Sequence, residues 1–88
     1  MNFGKAIELL NNGSVVQRAG WNGKGMWLSL VTNWNGNIAG QVSEDFHFKP
    51  WICMYTADNG LVPWLASQSD ILADDWLIVD YAQEVEVA

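Results

Sequence analysis

The sequence predicts an α+β fold in which an N-terminal helix packs on a small antiparallel β-sheet, with a short second helix near the C-terminus. Three observations predict it: apolar residues at helical spacing through residues 2–13, a series of short apolar stretches divided by turn-forming residues, and Ser67-Gln68-Ser69-Asp70 with the spacing of a capping box. In the first segment Phe3, Ala6, Ile7 and Leu10 share one side, while Lys5, Glu8 and Asn12 lie opposite. Asn2 suits the N-cap, where a short side-chain oxygen accepts an orphan N–H, and Gly13 suits the left-handed residue that ends a helix.

Residues 14–19 read as a strand running into Gly20-Trp21-Asn22-Gly23-Lys24-Gly25, where three glycines permit a tight turn and close approach by a ligand or another strand. Residues 26–32 form the next strand. Asn33-Trp34-Asn35-Gly36-Asn37 has hairpin chemistry and leads to a weaker strand over 38–42, then a loop over 44–50. Residues 51–56 make a strand that is apolar on both faces, which sets it between the helix and a second covering. Asp58-Asn59-Gly60 turns the chain into Leu61-Val62-Pro63-Trp64, and Pro63, with no N–H for a ladder, assigns this piece to an edge or a strand end. Ser67 opens a helix reaching about residue 74, and residues 76–80 form the last strand. A single domain over residues 1–80 and an acidic tail over 81–88 are expected.

A chain of 88 residues buries only about 60 to 65% of the surface its unfolded form exposes, and domains of this size usually depend on a staple or a partner. Cys53 is the only cysteine and His47 the only histidine, so an intrachain disulfide or a Cys/His metal cluster is excluded. No metal or cofactor is expected, and self-association is the remaining means of stabilisation. The net charge of −6, with Lys5, Arg18, Lys24 and Lys49 as the only basic residues, argues against duplex nucleic acid as a partner. No apolar run has membrane-spanning length and the first residues do not resemble a signal peptide, so a cytoplasmic protein without membrane contact is expected.

The chain carries no recognisable catalytic motif, and no catalytic residue is assigned. His47, between Phe46 and Phe48, reads as a solvent-facing imidazole, and Cys53 as a buried, inert thiol. The carboxylate pairs Glu44/Asp45 and Asp74/Asp75 read as solvated surface. Of six tryptophans, Trp27, Trp51 and Trp76 fall inside strands and suit the core or an interface, whereas Trp21, Trp34 and Trp64 lie in or beside turns. An indole beside a turn can stack a base, worth about 1 to 3 kcal/mol. For Trp21 and Trp64, anchoring a turn to the core is an equal alternative. Arg18 and Lys24 flank the glycine turn, and beside Trp64 the run Ser67-Gln68-Ser69-Asp70 offers helix N-terminal N–H groups, an amide and a carboxylate. Together these groups suit a nucleotide: N–H donors for phosphate, an amide for a base edge, a carboxylate for ribose hydroxyls.

Arg18-Ala19-Gly20-Trp21-Asn22-Gly23-Lys24-Gly25-Met26, Leu61-Val62-Pro63-Trp64 and Ser67-Gln68-Ser69-Asp70-Ile71-Leu72-Ala73-Asp74-Asp75-Trp76, with the opening Asn2-Phe3-Gly4-Lys5-Ala6-Ile7, resemble the type II Thoeris anti-defence proteins of phages and prophages. The likeness extends from about residue 2 to residue 80. It implies a non-enzymatic sponge that binds the cyclic ADP-ribose isomer made by a Thoeris TIR-domain sensor and holds it intact, so that the effector stays silent. It also implies a homo-oligomer, a tetramer with ligand pockets between protomers, and in some members binding of cyclic dinucleotides. The chemistry of the motif positions nominates a ligand-binding set. Trp21 or Trp64 would stack the purine; Lys24 and the N–H groups near Ser67 would meet the pyrophosphate; Asn22, Gln68 or Asp70 would read base or ribose, with Arg18 alongside. A small enzyme that degrades a cyclic nucleotide and a ligand-free phage adaptor are the alternatives.

Overall fold

The computed structural model describes residues 1–21, 25–32 and 49–79. Along the chain these form α1 (Phe3–Asn11), β1 (Val15–Arg18), a 3-10 turn (Ala19–Trp21), β2 (Trp27–Val31), β3 (Trp51–Tyr55), β4 (Leu61–Pro63), α2 (Gln68–Leu72) and β5 (Trp76–Val79). The five strands make one antiparallel sheet in the order β4-β3-β2-β1-β5, and α1 packs on it, as the α+β expectation required. The expected hairpin and strand over 33–42, Asn22, Lys24, Trp34, His47 and the tail lie outside the described residues.

Local chemistry sets the boundaries. Asn2 Oδ1 accepts the Lys5 N–H at 2.9 Å, and Gly13 follows α1 with φ of 88°. Asn59 takes the left-handed conformation (φ 68°) in the turn between β3 and β4, while the Thr56 hydroxyl accepts the Gly60 N–H at 2.8 Å and donates to Asp58. Pro63 lies in β4, an edge strand, where its missing N–H costs no ladder bond. One expectation needs correcting: α2 stops at Leu72, and Ala73 is already extended (φ −73°, ψ 148°), which frees Asp74 and Asp75 to lead the chain into β5.

The register explains why β3 is apolar on both faces. Leu28 pairs with Val16 and Met54, and Leu30 with Ile52, so these side chains share the face that meets Ala6 and Leu10 of α1. The alternate residues Trp27, Ser29 and Val31 pair with Tyr55, Cys53 and Trp51 on the opposite face, where the Trp27 and Tyr55 rings stack with centroids 3.6 Å apart. Cys53 is 1% exposed there, and burial pushes its thiol pKa up, in keeping with an inert role.

Candidate functional site

Two segments distant in sequence meet at the start of β5. The register Arg18↔Trp76 between β1 and β5 brings the end of β1, and the 3-10 turn after it, against Asp75 and Trp76. The segment that leaves the opposite edge of the sheet returns through Trp64 and α2 to the same place. Trp76 joins them. It is 1% exposed, makes T-shaped contacts with Trp21 at 5.6 Å and Trp64 at 5.9 Å, and touches Phe3 at 5.6 Å. Its indole N–H donates to the Asp70 backbone oxygen at 3.0 Å, which fixes the ring. Trp21 and Trp64 are both half-buried and packed on Trp76, so the turn-anchoring role weighed from sequence is met for both, and neither ring is fully enclosed.

A polar network runs beside the aromatic one. Arg18 donates from Nε to Asp75 Oδ1 and from Nη1 to Asp70 Oδ1, both at 2.9 Å. Asp75 Oδ2 accepts the Gly20 N–H at 2.8 Å, and its backbone oxygen accepts the Ala19 N–H at 2.9 Å. Asp70 Oδ2 accepts the N–H and the hydroxyl of Ser67, each at 2.9 Å, while the Ser67 oxygen accepts the Asp70 N–H at 3.1 Å, completing the expected capping box.

These contacts set the ionisation of the cluster. Burial pushes the Asp70 carboxyl upward, but the N–H and hydroxyl of Ser67 and the Arg18 guanidinium outweigh it and hold the group below its ordinary value. Asp75 is held below its ordinary value chiefly by Arg18, then by the Gly20 N–H. Arg18 is raised by Asp75 first and Asp70 second, so all three stay charged together at neutral pH.

Of the sequence-nominated residues, Arg18, Trp21, Trp64, Ser67 and Asp70 are brought into one connected cluster, and Gln68 is exposed at the first position of α2. Asn22 and Lys24 lie outside the described residues, next to Trp21 in sequence. Asp75 departs from the solvated-surface expectation, since both its oxygens are engaged by the 3-10 turn and Arg18. Trp76 was legible as a core residue but not as the hub between the two turn tryptophans; the only local trace of either residue's role was their shared place in the last motif. Among the described residues no three His, Cys, Asp or Glu are grouped to hold a metal ion, and no helix is long and apolar enough to cross a membrane.

Comparison with known proteins agrees with the motif reading. Residues 1–79 match the family described as the Thoeris anti-defense 2-like domain (Tad2-like). The protein named Thoeris anti-defense 2 from Bacillus phage SP01 is 40% identical over 85 residues, a stretch covering 90% of this chain and 94% of that protein. Motifs, fold and relatives coincide over the same residues: the chain belongs to the Thoeris anti-defense 2-like family.

Proposed function

We propose that this protein is a phage anti-defence sponge that counters a bacterial Thoeris system by sequestering a cyclic ADP-ribose isomer without cleaving it. The observation that carries the reading is the Trp21-Trp76-Trp64 arrangement, in which two partly buried indoles are held on a fully buried third beside a fixed polar cluster. Rigid aromatic surfaces suit a binder that must hold a base without reacting with it. Membership of the Thoeris anti-defense 2-like family supports an anti-Thoeris role, and the cyclic ADP-ribose isomer is the signal this reading adds to it.

The geometry refines the division of labour. The Ser67 and Asp70 N–H groups, nominated for phosphate, are taken by the capping box, and the Arg18 guanidinium is turned onto two carboxylates. In this reading Lys24 and the backbone of the glycine turn meet the pyrophosphate, Trp21 or Trp64 stacks the purine, and Asn22 or Gln68 reads base or ribose. Arg18, Ser67 and Asp70 serve by holding the two segments together. The protein acts in the cytoplasm of the infected host as a homo-oligomer, a tetramer with its pockets between protomers.

Calorimetry with the cyclic ADP-ribose isomer released by a Thoeris TIR-domain enzyme tests the reading. Trp21→Ala or Trp64→Ala should weaken binding by about 1 to 3 kcal/mol, Lys24→Ala should weaken it in a salt-dependent way, and His47→Ala should leave it unchanged. Heating the complex should release the ligand intact; recovery of an opened or hydrolysed product would replace the sponge with an enzyme. Full affinity in both tryptophan variants would reject the site. Light scattering on each variant separates lost contacts from lost assembly.

A further inference from the structure

We propose that Asp75 is a positioning residue for ligand binding: it holds Trp21 in its binding orientation by pinning the three residues that precede it. The inference rests on the reading of Trp21 as a ligand-stacking residue. Asp75 Oδ1 accepts from Arg18 Nε at 2.9 Å, its backbone oxygen accepts the Ala19 N–H at 2.9 Å, and Oδ2 accepts the Gly20 N–H at 2.8 Å. Residues 18, 19 and 20 are thus each tied to one aspartate. The next residue on each side closes the arrangement, since Trp21 packs on Trp76, the residue after Asp75. Backbone and ring of Trp21 are therefore referenced to the same two adjacent positions.

Gly20 gives a second handle on the same contact. Among the described residues the glycines with left-handed φ are Gly13 and Gly25, so the backbone at Gly20 does not call for glycine. Space does. A Cβ at residue 20 would stand 3.1 Å from Asp75 Oδ2 and 3.6 Å from Arg18 Nη2. The absent side chain leaves room for the carboxylate to reach the Gly20 amide. A methyl group at residue 20, directly before Trp21, would make the Asp75 carboxylate give by a few tenths of an ångström and so disturb the contact that aims the indole.

Asp75→Asn keeps the size of the side chain but leaves one oxygen to accept, and its NH2 must face either the Gly20 N–H or Arg18 Nε, donor against donor. Asp75→Glu restores a carboxylate. Gly20→Ala keeps every charge and pushes a methyl at Asp75 Oδ2. Binding of the TIR-derived cyclic ADP-ribose isomer should weaken in Asp75→Asn and Gly20→Ala, approaching the roughly 5- to 150-fold loss that removal of one stacked base contact produces. Asp75→Glu should recover part of it.

A residue that merely stabilises the fold would lower the melting temperature and leave Trp21 in place below it. Fluorine NMR of fluorotryptophan-labelled protein, with Trp21 assigned by Trp21→Phe, distinguishes the two. The Trp21 resonance should shift and broaden in Asp75→Asn and Gly20→Ala, while Trp27, on the other face of the sheet, stays in place. An unmoved Trp21 resonance in both variants, or wild-type affinity in both, overturns the proposal. Should Asp75→Asn fail to fold, Gly20→Ala decides alone. If the wild-type protein binds no cyclic ADP-ribose isomer, the sponge reading fails by itself, and the fluorine spectra still report whether Asp75 aims Trp21.

Discussion

Trp76 meets two demands at once: a large apolar body in the core and an indole N–H delivered to the Asp70 carbonyl. Trp76→Phe keeps an aromatic ring but removes the indole donor, leaving the Asp70 carbonyl only the longer bond from the Ala73 N–H at 3.4 Å; the lost bond should cost about 0.5 to 1.5 kcal/mol, which urea denaturation should read as a lower midpoint. In the sequence Trp76 was visible as core because it sits in an apolar strand, but the carbonyl it serves is chosen by the path of α2. The contrast between Asp74 and Asp75 was invisible for the same kind of reason. Adjacent, chemically identical residues acquire opposite roles because the strand they introduce turns one of them toward Arg18, which lies 57 positions away.

At the scale of elements, short-range chemistry was a sufficient guide wherever the deciding partner lay within four residues. Asn2 and Lys5, Ser67 and Asp70, and Asn59 with its turn all behave as their local sequence requires. The end of α2 was misplaced because nothing local stops it: Ala73 is a good helix former, and its extended backbone serves the entry into β5. Ser67 is the cap whose loss should be cleanest to measure. Ser67→Ala removes the hydroxyl that both donates to Asp70 Oδ2 and accepts the Asp70 N–H, and it should cost about 1 kcal/mol of stability. Because the same Asp70 also meets Arg18, ligand affinity should fall along with stability, as parallel calorimetry and denaturation would record.

For the whole molecule, the strands were legible and their order was not. Alternation along β2 and β3 announces two faces, but the pairing of β5 with β1 rests on contacts between residues such as Val16 and Ile78 that leave no pattern in either segment. That pairing is also where the fold is exposed to acid. Asp70 and Asp75 have folded pKa values below their unfolded ones, so their stabilisation is present above the ordinary aspartate range, near about 4, and is lost as pH falls through the depressed folded values. Denaturation midpoints should therefore drop below about pH 4, and Asp75→Asn should flatten that decline while lowering the plateau above it. An unchanged acid profile in the variant would remove Asp75 from the account of stability.

Cys53 gives the sheet an internal clock. The only thiol of the chain lies in β3, 1% exposed, paired opposite Ser29 of β2 and Pro63 of β4, with its ionisation suppressed by burial. A thiol reagent in solution can mark it only in molecules whose strands have parted, so the labelling rate counts opening events. Any compound that fastens the folded state must slow that count in proportion to its occupancy. One cysteine in the middle of a sheet thus becomes a built-in gauge of ligand capture, readable by mass without a substitution anywhere in the chain.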